Sequence, residues 1–82
     1  MEIMRKTYST LTTTAGGNFP TGLDQFKYII LYADTRIEGC VTMIYAYQGY
    51  WYVRVEEGGN AYGSKKIDKA EVFYINFTRS SN

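Results

Sequence analysis

Cys40, in the run "IEGCVT", is the one conventional nucleophile in an 82-residue chain that has no histidine. A cysteine attacks as its thiolate and needs a base or positive field to form it, so Cys40 reads as a small buried residue at a strand start. Glu56 and Glu57 are adjacent, which places them on opposite sides of a strand, and Gly58-Gly59 follows at once. That is the pattern of a solvated hairpin end, not of an acid/base pair. "GGNAYG" has the glycines of a phosphate loop but lacks the Lys-Ser/Thr that follows them and a helix to cap. One thiol and scattered carboxylates do not supply the four convergent ligands that zinc takes. The sequence therefore predicts no catalytic residue, no metal site and no cofactor, and a chain that is not an enzyme.

Recognition by aromatic rings is the chemistry that remains. "YAYQGYWYV", residues 45 to 53, sets five aromatic residues around one Gln-Gly, and nine tyrosines in 82 residues exceed what so small a core can hide. Tyrosine and arginine build binding hot spots because they bring large contact area at low entropic cost. The expected site for a protein partner is Tyr50, Tyr52 and Arg54, with Tyr47 and Tyr62 at its margin. The same surplus predicts a homo-oligomer, or a heterologous protein that the domain blocks or links as a small inhibitor or adaptor. An alternative is single-stranded nucleic acid, with bases stacked on Tyr50, Tyr52 and Tyr62 beside Arg54 and the basic group Lys65, Lys66 and Lys69. Nine basic against eight acidic residues give a net charge of +1, which weakens the electrostatic term such binding uses.

Strands must position these side chains. "KYIILYAD", "CVTMIYAY", "YWYVRVEE" and "AEVFYINF" are short runs rich in aromatic and β-branched residues with turn chemistry between them. Thr7 to Thr14 reads as an edge strand or an arm, and "AGGNFPTGLDQ" as a loop or two turns, with at most one helical turn from Thr21. A further short strand is expected within 60–65. From Tyr50 to Glu57, alternation sends Trp51, Val53 and Val55 inward and Tyr50, Tyr52 and Arg54 outward. The last run predicts Phe73, Ile75 and Phe77 on the core side; the first predicts Ile29 and Leu31 there, with Tyr28, Ile30 and Tyr32 as the competing set. The 41–55 hairpin has two registers. A two-residue turn at Gln48-Gly49 puts Tyr45, Tyr47, Tyr50 and Tyr52 on one outer face. A three-residue loop with a glycine bulge turns Val41, Met43 and Tyr45 inward, and is preferred because it spares Gln48 a positive φ.

"ILYAD", then "GYWYVRV", then a glycine-containing run and "KAEVFYI" resemble an SH3-like small barrel over residues 30 to 75. On that resemblance Tyr32 and Tyr50 would be the groove aromatics. The acidic loop of peptide-binding members is shortened here to "DTRIEG" and their Pro-Ser-Asn-Tyr turn is replaced by "SKKIDKAE", so the resemblance implies the barrel alone. The expected fold is all-β: a five- or six-stranded antiparallel barrel in one domain. Residues 1–26 would form the arm or edge strand plus glycine-rich loop, 27–77 the barrel, and 78–82 a tail. With one cysteine, no apolar leader and no run long enough to span a bilayer, a cytoplasmic protein is expected.

Overall fold

The computed structural model describes residues 2–77, so the expected tail over 78–82 lies outside the described residues. Seven strands run in order: β1 (Met4–Thr12), β2 (Asn18–Asp24), β3 (Tyr28–Asp34), β4 (Cys40–Tyr47), β5 (Tyr50–Glu57), β6 (Asn60–Ala61) and β7 (Lys66–Asn76). All pairings are antiparallel. They form two sheets, β1-β7-β3 and β2-β5-β4, with the short β6 added to β5. Among the described residues no ladder joins the two sheets into a closed barrel; they stack as layers around a shared core. No helix there is long and apolar enough to cross a membrane.

The core lies between the sheets. Phe19, Leu23, Val53 and Val55 from one meet Ala33, Ile67, Ala70 and Val72 from the other, with Tyr8, Ile30, Ile44, Trp51 and Tyr74 packed at its edges. Each large apolar side chain so buried contributes about 1.5 to 3 kcal/mol. Polar groups also cross the gap. Trp51 Nε1 donates to the Tyr28 carbonyl at 2.7 Å, and Lys6 Nζ and Tyr8 Oη both donate to the Thr21 carbonyl, at 2.8 and 2.5 Å.

Three expectations from the sequence are corrected here. "AGGNFPTGLDQ" contains strand β2, with neither a simple loop nor a helical turn. Val55 N donates to the Gly17 carbonyl, so Phe19 shares that inward direction and Pro20 turns its nitrogen to the open side, where no ladder bond is lost. In β7 the parity is reversed: Val72 and Tyr74 face the core, while Phe73, half-buried, meets Tyr32 on the far side of its sheet. Ile75 is buried, but on that same far side, where it pairs with Ile29. Ile29, Leu31 and Phe77 are exposed there, and a register shift between Ile30 and Tyr32 releases Tyr32 from the inward set of Tyr28 and Ile30. The third correction is the hairpin. Tyr47 pairs with Tyr50 across a two-residue turn, with Gln48 at φ 50 and Gly49 at φ 88, so Val41, Met43 and Tyr45 do not turn inward. Ile44 packs on the core instead. The left-handed glutamine costs about 1 kcal/mol, and this register sets against that cost the packing of Ile44 on the core and the ring contacts of Tyr52 with Tyr45 and Tyr47.

Gly17 marks where β2 yields its place beside β5 to β6. Tyr62 N donates to the Val55 carbonyl just beyond it, and a Cβ at Gly17 would stand 2.8 Å from that oxygen and 2.9 Å from the Tyr62 nitrogen. No larger residue fits that handover.

Candidate functional site

The hairpin register gathers four tyrosines on the outer face of β4 and β5. Tyr45 lies opposite Tyr52 and Tyr47 opposite Tyr50, so alternation and pairing together put all four rings on one side. Tyr45 and Tyr52 stack with centroids 5.6 Å apart at 19°, and Tyr47 meets Tyr52 edge-on at 5.8 Å. Contacts of this kind contribute about 0.5 to 1.5 kcal/mol each beyond burial. Tyr52 is thus held by two neighbours, while Tyr47 and Tyr50 are 54% and 50% exposed. Burial first, and then Tyr52, pushes the Tyr45 phenol above its ordinary range, so at neutral pH it keeps its proton and carries no charge.

The face continues along both strands. Arg54, opposite Met43, follows Tyr52 and is braced by the Gly16 carbonyl and by Glu56, each at 2.8 Å. Val41 and Met43 are exposed beside it, and Pro20 flanks Tyr52 from β2. At the other end Phe26 is 71% exposed next to the Gln48-Gly49 turn. Asp24 Oδ1 accepts from the Phe26 amide at 2.7 Å and fixes that turn. Sequence reasoning missed Phe26, Val41 and Met43 as parts of this surface; the first lies in a loop, and the others depended on the register.

Tyr62 sits elsewhere. Ala61 pairs with Glu56 and shares its side, so Tyr62 turns the opposite way and packs against the core. Thr13 Oγ1 donates to the Tyr62 carbonyl at 2.5 Å and accepts from Lys65 N at 3.0 Å, which sets Lys65 Nζ 4.8 Å above the Tyr62 ring. Tyr62, Lys66 and Lys69 line a hollow of about 260 Å³ with Thr35, Arg36, Ile37 and Asp68. Arg36 is already committed to the buried Glu71 at 2.7 Å, and Lys66 lies 3.8 Å from Asp68. The structure therefore divides the expected residues between two places: Tyr47, Tyr50, Tyr52 and Arg54 in one, Tyr62 and the three lysines in the other. Tyr32 and Tyr50 lie on opposite outer faces of the stacked sheets, so they do not line a common groove.

Burial, and then Glu57, raises the Cys40 thiol above its usual range, the opposite of what a nucleophile needs. Among the described residues no group of three or more His, Cys, Asp or Glu side chains is placed to hold a metal. No protein-family model, curated protein or solved structure matches the chain.

Proposed function

We propose that the chain is a non-catalytic binding module that recognises a protein partner through the outer face of β4 and β5. The observation that supports this is the contiguous set Tyr45, Tyr47, Tyr50 and Tyr52, extended by Arg54 and Met43, on an open sheet surface. Tyrosine, arginine and methionine are the residues enriched at protein interfaces, and the aspartate and lysine depleted there are absent from this set. The reading is of a small inhibitor or adaptor acting in the cytoplasm, and it draws nothing from the SH3-like peptide groove. The test is affinity capture with wild type, with Tyr50→Ala plus Tyr52→Ala, and with Leu31→Ser on the opposite face as control. A protein held by wild type and by the control, and lost from the tyrosine variant, is the expected result. The double change removes two ring contacts and costs about 1 to 3 kcal/mol of stability, so Tyr50→Ala alone is run beside it. Retention of the same protein by a folded double variant would overturn the proposal.

A second reading is single-stranded nucleic acid, favoured by Tyr62, Lys66 and Lys69 around one hollow, with Lys65 over the Tyr62 ring. Recovery of nucleic acid that weakens steeply with salt and disappears on Lys65→Ala with Lys66→Ala would favour it.

A further inference from the structure

The two sheets have four outer strands, and three of them are guarded. β1 carries Arg5 and Lys6 and is interrupted by Thr10 at φ 51. β2 contains Pro20 and a register shift, and β3 has its own shift between Ile30 and Tyr32. Charge, proline and irregularity are the devices that keep a strand edge from pairing with another chain. β4, "CVTMIYAY", has none of them: no charged residue, no proline, no glycine, and eight consecutive pairs with β5 without a shift.

The direction of its backbone groups follows from bonds on the other side of β5. Val55 N points to the Gly17 carbonyl, so the odd residues of β5 bond towards β2 and the even residues towards β4. Tyr50 and Tyr52 therefore hold Tyr47 and Tyr45, and the N–H and C=O groups of Thr42, Ile44 and Ala46 are directed away from β5. Cys40 is directed the same way, and its N–H is already given to Ile37.

We infer that this edge pairs antiparallel with the same edge of a second copy, about a two-fold axis at Ile44. An isologous contact needs a surface complementary to itself, and the sequence of β4 supplies one. With Ile44 opposite Ile44 of the second copy, Thr42 faces Ala46 and all three outward residues of each strand are used, giving six backbone hydrogen bonds by the antiparallel pattern. A shift towards the strand start would call on the Cys40 amide, which is taken, and one towards its end would run into the Gln48 turn. In the favoured register the outer face sets Met43 against Tyr45 and Val41 against Tyr47 of the second copy. Sulfur–aromatic and aromatic–β-branched pairs are favourable cross-strand neighbours. Val41 and Met43, 60% and 42% exposed in the single chain, are covered by rings. No charge meets a like charge, and the tyrosine face becomes continuous across the pair.

The inference is independent of what the tyrosine face binds, and different variants test it. Ala46→Pro removes an N–H that does not serve the β4–β5 ladder and leaves Tyr50 and Tyr52 in place. Sedimentation of wild type should give twice the 9.4 kDa chain mass at high concentration and fall towards the single chain on dilution. Ala46→Pro should sediment as the single chain throughout, with the circular dichroism of wild type. Amide exchange on unmodified protein keeps the test free of any effect of proline on folding. At concentrations where the pair forms, the Ile44 and Ala46 amides should slow at least about tenfold, while Met43, Tyr45 and Tyr47 are protected in both states. A wild-type chain that stays single up to about 100 μM, within the range of ordinary weak association, overturns the inference. So does a dimer whose Ile44 and Ala46 amides exchange no more slowly than in the single chain, or one that a folded Ala46→Pro leaves intact.

Discussion

The Thr21 carbonyl oxygen accepts from both Lys6 and Tyr8, while the Thr21 hydroxyl donates to the Trp51 carbonyl at 2.7 Å and accepts from the Leu23 amide at 3.1 Å. A buried break in a strand leaves polar groups to satisfy, and this residue satisfies those at the β2 shift. Tyr8 answers to the same point. Its phenol is pushed well above its ordinary value by burial first and then by Tyr74. Because the folded value is raised, the stabilisation is fully present below the unfolded value of 10.0 and is lost as pH climbs above it towards the folded one. Tyr8→Phe should cost about 1 kcal/mol at neutral pH, with the ring contact to Phe19 kept. Above pH 10 its melting temperature should decline less steeply than that of wild type, and melting curves across that range check both claims. None of this hub was legible in the sequence, since nothing in "FPTGLD" marks Thr21 as an acceptor for residues 13 and 15 positions away.

Strand β5 was legible because charge labels one of its faces: Arg54 and Glu56 identify the outer side, and Trp51, Val53 and Val55 follow by parity. β7 and β3 carry no such label. Phe73 and Ile75 on one side of β7 are as apolar as Val72 and Tyr74 on the other, so alternation alone cannot say which side is core. In β3 the extra residue at the shift breaks the period that would have been counted. The hairpin shows local preference losing to packing, and that conflict can be relieved. Gln48→Asn puts at the first turn position a residue that tolerates positive φ, and should stabilise the protein by about 0.5 to 1 kcal/mol without changing the register. Chemical denaturation measures the gain, and an unchanged or lower midpoint would show that Gln48 is not strained.

At the scale of the molecule, two stacked sheets expose two unlike outer faces, one of tyrosines and one of Ile29, Leu31, Tyr32 and Phe77. A closed small barrel was expected from the strand count, because closure removes edges; here charge, proline or irregularity meets that need on β1, β2 and β3 and leaves β4 as the exception. The layered arrangement predicts a sharp contrast between neighbours in one strand. Ile30→Ala, facing the core, should cost about 2 to 4 kcal/mol, whereas Leu31→Ala, 48% exposed on the outer face, should cost under about 1 kcal/mol. Equal costs in equilibrium unfolding would contradict the assigned faces. The bond from Trp51 Nε1 to the Tyr28 carbonyl gives the layered molecule an optical signature. The chain has one tryptophan and nine tyrosines, so light absorbed by the phenols within the fold can be passed to a single indole anchored between the layers. Emission excited through tyrosine, divided by emission excited at the indole alone, therefore gauges the spacing of the two layers and should drop when they part, even if each sheet keeps its own ladder.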